Sequence, residues 1–264
     1  MSDKIQIGIA CGDNSDNYVN FLIESIINTV SDINNIEFLL AINKPSVNKQ
    51  TLRKHQENVS IEMHDVYTNT ISSMAHGHCL DFLLDKMDAE YGMFVDSDAC
   101  FLEKNWDQQF KGLLKNNIAV VGADTDPVHN HYRDFPFTIM CMFKTNIIKQ
   151  CGISFKPRHV HLEMDERGAN LFNRQVGDTI HLDTAWEMPF KLKSQGYDGI
   201  PFPMASPRHG SETMYFMQQG MRGEEYQFDE KAVFTHLGRG STRCFNTNEH
   251  AILWRQKVQE HLGA

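Results

Sequence analysis

The sequence predicts an α/β domain built on a mainly parallel sheet. Short apolar runs alternate with helical stretches through the first 66 residues, the pattern of parallel strands joined by right-handed crossovers. The 264 residues show no internal repeat and no linker, so one domain is expected. Hydrophobic residues make up 41% and charged residues 22%, enough for a sizeable core and too apolar for global disorder.

The elements follow in order. Ile5–Cys11 reads as a strand, and Gly12–Asn17 as a turn that caps a helix from Tyr18 to Val30. Val19, Leu22, Ile23, Ile26, Ile27 and Val30 share one helical face. Ile36–Ile42 is a second strand, 46–57 a polar helix and Val59–Val66 a third strand. A helix is expected from Ser72 or Ser73, with its N-terminus open to phosphate. His76 and His78, two apart on that helix, diverge and make a poor zinc pair.

Tyr91–Val95 is a buried strand that ends on Asp96-Ser97-Asp98. Alternation along an extended chain points both carboxylates the same way. Carboxylates held together repel and resist desolvation unless a cation or donors lie between them. Hard oxygen ligands suit Mg²⁺ or Mn²⁺. The same tripeptide also serves as a turn and helix cap.

Further on, a helix is expected over 103–116, strands at Ile118–Ala123 and Phe137–Phe143, and a short helix over 145–149. Residues 124–133 form a polar loop with His129, His131 and Arg133. Residues 156–178 read as an irregular, mobile loop. Asp183 is expected to cap a helix running to about Gly196, despite an interior Pro189. No period is visible over 199–221. Phe234–His236 leads into a basic, glycine-rich loop whose Arg239 and Arg243 suit phosphate. A final helix spans about 248–261.

Sheets of this kind bind ligands at the carboxyl ends of their strands. Asp13, Asp65 and the Asp96/Asp98 pair all fall there. The formal charge of −9 argues against non-specific nucleic-acid binding. It is uneven, since residues 191–264 hold 9 Lys and Arg against 8 Asp and Glu. The six cysteines are scattered with no CxxC, as expected of reduced thiols. With no signal-peptide pattern and no run of 18 apolar residues, a cytoplasmic location and no membrane span are expected.

Four segments occur in one order: the turn with Asp13; Asp96-Ser97-Asp98 closing a strand; Asp183 before a stretch ending in Gly196-Tyr197; and His236-Leu237-Gly238 with Gly240, Ser241 and Thr242. Together they resemble metal-dependent GT-A glycosyltransferases, especially the family-2-like type. His76-Gly77, Leu80-Asp81 and Arg133 with Pro136-Phe137 resemble a bacterial and viral branch. The resemblance covers most of residues 5–245 and implies a Rossmann-like domain with a mixed, mainly parallel sheet flanked by helices. About 1–123 would bind the nucleotide sugar and about 124–245 the acceptor, with a C-terminal helix over 246–264.

The resemblance also implies roles. Asp98 and His236, with Asp96, would hold Mn²⁺ or Mg²⁺. Asp96 would also sit near the donor ribose or sugar, and Asp13 would face the base. Asp65, His76, Ser97, Arg239, Ser241 and Arg243 would complete the donor side. Asp183 would be the general base of an inverting reaction. The family's usual Glu-Asp pair reads Leu182-Asp183 here, with Asp178 as the second candidate. Trp186 and Arg133 would line the acceptor cleft. The expected function is transfer of a sugar from a UDP- or GDP-type nucleotide diphosphate sugar to an acceptor hydroxyl. The acceptor would be a glycan or, as runner-up, a hydroxymethylated base in DNA, as for a phage-type enzyme. A non-catalytic protein that binds nucleotide sugar or glycan is the alternative from another class.

Overall fold

Apolar runs interrupted only by Gln6 and Glu37 make the first two strands, as expected where both faces are covered. The computed structural model describes residues 3–68, 72–124, 134–161, 175–176, 179–238 and 244–263. The first half contains β1 (Ile5–Cys11), α1 (Asp16–Thr29), β2 (Ile36–Ile42), α2 (Lys49–Leu52) and β3 (Ser60–Asp65). Then come α3 (Ser72–Lys86), β4 (Tyr91–Val95), β5 (Ala99–Phe101), α4 (Trp106–Leu113) and β6 (Ile118–Ala123). The second half holds β7 (Met140–Lys144), α5 (Thr145–Gln150), β8 (Arg158–His161), β9 (Gln175–Val176) and β10 (Thr179–Leu182). A helix (Met188–Ser194), β11 (Asp198–Phe202), β12 (Met204–Ala205), β13 (Glu224–Phe228), β14 (Lys231–His236) and a C-terminal helix (Glu249–Leu262) follow.

The main sheet has seven strands in the order β11-β6-β7-β4-β1-β2-β3. The β1–β2, β2–β3, β1–β4 and β6–β11 pairs are parallel, whereas β7 runs antiparallel to both β4 and β6. The sheet is thus mixed and mainly parallel. Val19, Leu22, Ile23 and Ile26 of α1 are fully buried against one face, where β1 supplies Ile5, Ile7 and Ile9. Cys79, Leu80, Leu83 and Leu84 of α3 pack in the core of the other face with Phe94, Phe143 and Phe155.

A second sheet, β12-β13-β14-β5, leans over the carboxyl end of β4. Its β13–β14 hairpin turns through Asp229 and Glu230, both at positive φ, as a two-residue primed turn requires. The register shifts between Tyr226 and Gln227, leaving Val233 as an extra residue in β14. Behind this sheet the C-terminal helix buries Trp254, whose Nε1 donates to Thr235 Oγ1 at 3.0 Å.

Several expectations need correction. The polar stretch 46–57 is only the single turn of α2 followed by a 3₁₀ turn, Arg53–His55, with Asn48 capping it through the Gln50 and Thr51 N–H groups. Within 156–178, strands β8 and β9 pair with β10 in a three-stranded antiparallel sheet, so these parts are not irregular. The helix expected from Asp183 starts at Met188 with Glu187 as its N-cap residue. Pro189 explains this: it falls in the first turn, where its missing N–H costs nothing. Asp183 instead follows the end of β10. Among the described residues, no helix is long and apolar enough to cross a membrane.

Candidate functional site

The carboxylates that end β4 are fixed from both sides by backbone. Asp96 N–H donates to Ile139 O at 2.8 Å, which prolongs the β4–β7 pairing. Ala99 N–H returns to Asp96 O at 3.2 Å and closes a turn that holds half-buried Ser97. Leu237 N–H donates to Asp98 O at 3.0 Å, prolonging the β5–β14 pairing. The tripeptide therefore joins the two sheets. The expectation of two carboxylates on one side is met, and β14 brings a histidine to them.

His236 Nε2 lies 3.3 Å from Asp98 Oδ1 and 3.7 Å from Asp96 Oδ2. The three ligand atoms all fall within 4.8 Å of one another. On the other side of Asp96, His76 Nε2 from the start of α3 is 3.6 Å from Oδ1. His236 and Asp98 are buried, while Asp96 and His76 keep part of their surface open. Burial pushes the Asp96 carboxyl above its ordinary range, and the His76 and His236 imidazoles only partly offset this. Burial also works against a charged His236, but the Asp98 and Glu224 carboxylates outweigh it and hold the imidazole well above its ordinary range.

Glu224 is the site residue that sequence reading missed. It lies opposite His236 in the β13–β14 register, and its Oε2 is 3.1 Å from His236 Nδ1. Tyr226 Oη donates to the same oxygen at 3.1 Å. An ionised carboxylate only accepts, so Nδ1 carries the proton toward Glu224, and Nε2 is the nitrogen left to give its lone pair to a cation held by Asp98 and Asp96. Two carboxylates and one neutral imidazole nitrogen are a donor set that suits Mn²⁺, and Mg²⁺ through the oxygens. These residues fit the group that the resemblance implied.

The other expected residues are more dispersed. Asp13 is exposed and accepts a hydrogen bond from Ser46 Oγ. Asp65 is exposed and paired with Lys49 at 2.6 Å. Asp183 accepts from Thr184 N–H at 2.7 Å, and Trp186 stands in the following turn with the Arg158 guanidinium 5.8 Å over its ring. Arg133, Arg239, Ser241 and Arg243 lie outside the described residues, as do Asp178, His129 and His131.

Helix α3 connects the carboxylate cluster to the turn after Asp183. It carries His76, and one residue on, Gly77 lets it lie flat on the 155–156 backbone. A Cβ at Gly77 would sit 2.5 Å from Phe155 O, with no flexible side chain to yield. One turn further, Asp81 accepts from Ser154 Oγ at 2.9 Å and Phe155 N–H at 2.6 Å. Phe155 O in turn accepts from Ala185 N–H at 3.2 Å. Ala185 has φ +61, a conformation rare for a residue with a Cβ, so the turn beyond Asp183 is tightly specified.

No protein-family model matches the chain, and no curated protein matches it in sequence. Solved structures do match. The mannosyltransferase PcManGT from Pyrobaculum calidifontis, in complex with GDP-Man and Mn²⁺, is similar over 76% of this chain and 55% of its own, with a TM-score of 0.52 and 13% identity. The chain thus spans about half the length of that mannosyltransferase. S. aureus TarS with UDP-GlcNAc gives a TM-score of 0.45 at 16% identity, covering 58% of this chain and 48% of that one. The bifunctional glycosyltransferase WbbM gives 0.43 at 18% identity, covering 57% and 33%. The fold of this chain is the GT-A glycosyltransferase fold.

Proposed function

We propose that the chain is a divalent-metal-dependent glycosyltransferase that moves a sugar from a UDP- or GDP-type nucleotide diphosphate sugar to an acceptor hydroxyl. The observation that carries this reading is the convergence of Asp96, Asp98 and His236 at the end of β4 in a GT-A fold. The mannosyltransferase of similar fold was solved with GDP-Man and Mn²⁺, which supports the donor class and the metal.

Asp98 and His236, with Asp96, would hold the ion. A bound divalent cation would stabilise the charge that the nucleoside diphosphate gains as it leaves. His76 beside Asp96 faces the same end of the sheet and holds donor phosphate or sugar in place. Asp13 and Asp65 mark the nucleoside end, with Ser97 on the donor side. The masking of charge on the diphosphate is completed by Arg239, Ser241 and Arg243.

The acceptor side is the turn after β10. Asp183 takes the acceptor hydroxyl proton as the oxygen attacks the anomeric carbon. The bond from that carbon to the diphosphate oxygen breaks, and its electron pair leaves with the nucleoside diphosphate. A single displacement of this kind inverts the anomeric centre. Trp186, with Arg133, presents a surface for the acceptor. Residues 1–123 thus serve the donor, and 124–245 carry the acceptor side together with His236, Arg239, Ser241 and Arg243 on the donor side.

The test is a thermal-shift series with UDP, GDP and CDP, with and without Mn²⁺, on the natural chain and Asp98→Ala. A nucleotide bound only by the native state raises the melting temperature by mass action. One diphosphate is expected to do so only with Mn²⁺, and not in Asp98→Ala. Release of that diphosphate from its sugar donor by Asp98→Ala at the natural rate would overturn the reading.

A further inference from the structure

We infer that Glu224 is a positioning residue whose carboxylate fixes the tautomer and ring orientation of His236 for divalent-metal binding. The inference rests on the metal-dependent reading above and extends it to a residue that none of the sequence motifs contains.

The case begins with two adjacent glutamates. Neighbouring side chains of a strand point to opposite faces, and Glu224 and Glu225 of β13 do so. Glu225 is fully buried and accepts the backbone N–H groups of Tyr215, Phe216 and Met217 at 2.7, 2.7 and 2.6 Å, with Gln227 Nε2 added at 2.8 Å. Its work is to hold that loop. Glu224 is nearly as buried, yet its carboxylate accepts from side chains: Tyr226 Oη and His236 Nδ1, both at 3.1 Å from Oε2.

Taking a carboxylate out of water is costly unless donors meet it. Here the donors form a relay that ends on the metal ligands. The Tyr226 ring stacks on Phe234 at 4.3 Å and 2°, which fixes the phenol that orients Glu224. Thr235 Oγ1 donates to Glu224 O at 2.8 Å and receives the Trp254 N–H, so the backbone of both strands is locked at the same level. Glu224 then has one direction in which to face, and His236 Nε2 has one direction in which to present its lone pair. Carboxylates that accept from a ligating histidine in this way commonly contribute 10–100-fold to metal affinity.

The experiment compares Mn²⁺ binding, followed by the electron paramagnetic resonance of free Mn²⁺, in the natural chain, Glu224→Gln, Glu224→Met and Glu225→Gln. ¹⁵N NMR of the histidines in the natural chain loaded with diamagnetic Zn²⁺ reads which ring nitrogen of His236 carries the proton. We expect an Nδ1-protonated ring at His236. Glu224→Met is expected to weaken Mn²⁺ binding on the order of 10–100-fold, and Glu224→Gln, which keeps an acceptor for Nδ1–H, by only severalfold. Glu225→Gln is expected to lower the melting temperature and leave the Mn²⁺ Kd within about twofold, since its partners, three backbone amides and Gln227 Nε2, are not metal ligands. A folded Glu224→Met that keeps the natural Mn²⁺ affinity overturns this inference alone. A Zn²⁺-loaded natural chain whose His236 carries its proton on Nε2 does the same even where Glu224→Met fails to fold. A natural chain that binds no Mn²⁺ overturns the metal reading, and this inference with it.

Discussion

Two ends of one sheet carry acidic residues, and they have opposite electrostatics. At the end of β3, Asp65 is exposed and lies against Lys49, with Tyr67 also hydrogen-bonded to it; the Lys49 hydrogen bond holds its carboxyl below the ordinary range. At the end of β4, burial pushes Asp96 above that range, and its neighbours are imidazoles and further carboxylates. The first carboxylate has its countercharge built in from α2. The second belongs to a group of three carboxylates, Asp96, Asp98 and Glu224, converging on one histidine. Position at a carboxyl edge is common to both. What separates them is a second sheet that covers the β4 end, removes water and imports a histidine.

The largest test of this contrast acts from behind the covering sheet. Trp254→Ala empties a fully buried indole site and leaves Thr235 Oγ1 without that donor. A cost of about 3–5 kcal/mol is expected in denaturant unfolding, because a large buried aromatic is lost. If the covering sheet makes the site, Mn²⁺ affinity falls with stability; an unchanged Mn²⁺ Kd would separate the two.

Next in size is the direct break. Asp98→Asn keeps shape and removes the carboxylate facing His236, and a loss on the order of 10²-fold in metal-dependent donor turnover is expected. Steady-state rates across a Mn²⁺ titration read this, and a rate restored merely by more Mn²⁺ would limit Asp98 to affinity.

The exposed end responds less. Asp65→Asn breaks a solvent-exposed ion pair, which leaves the melting temperature almost unmoved. Any effect is expected in the donor KM, by less than about tenfold, since one charged hydrogen bond to the nucleoside is the most it supplies. A loss in kcat as large as that of Asp98→Asn would erase the distinction between the two ends.

The smallest effect is a pH dependence at buried His55, in the 3₁₀ turn that leads into β3. Burial, with help from Lys54, holds His55 below its ordinary range near 6.5. The unfolded chain therefore takes up the proton first as pH falls. The stability that His55 contributes is complete above about 6.5 and is lost as pH drops through its folded value. Urea midpoints between pH 7.5 and 5 are expected to fall less steeply in His55→Gln; an equal slope would show that other groups set it.

Much of this was legible in the sequence. β1, α1 and β2 are long, periodic runs bounded by turn residues. The short run Tyr91–Val95 announced its end with two carboxylates. His236 came from the ordered motifs rather than from spacing. Glu224 was not legible, because β13 is five residues of mixed polarity and its turn is Asp229-Glu230, where an Asn-Gly pair would have marked a hairpin. The strands β8 to β10 are two to four residues long and depend on each other for pairing, which no local pattern records. Asp183 looked like a helix cap since a polar residue before an apolar run usually is one, but Pro189 sets the helix start further on.

The pairing of β5 with β14 has a consequence for timing. Asp96 and Asp98 emerge from the ribosome long before His236, and the strand that delivers the histidine is locked by Trp254, which follows later still. Domains are made from the N-terminus onward, so the parallel strands have the opportunity to assemble while the metal site still lacks a wall. A nascent chain halted before residue 231 would hold the carboxylates without their imidazole. Competence for metal is thereby a report that synthesis has passed the last strand of the covering sheet.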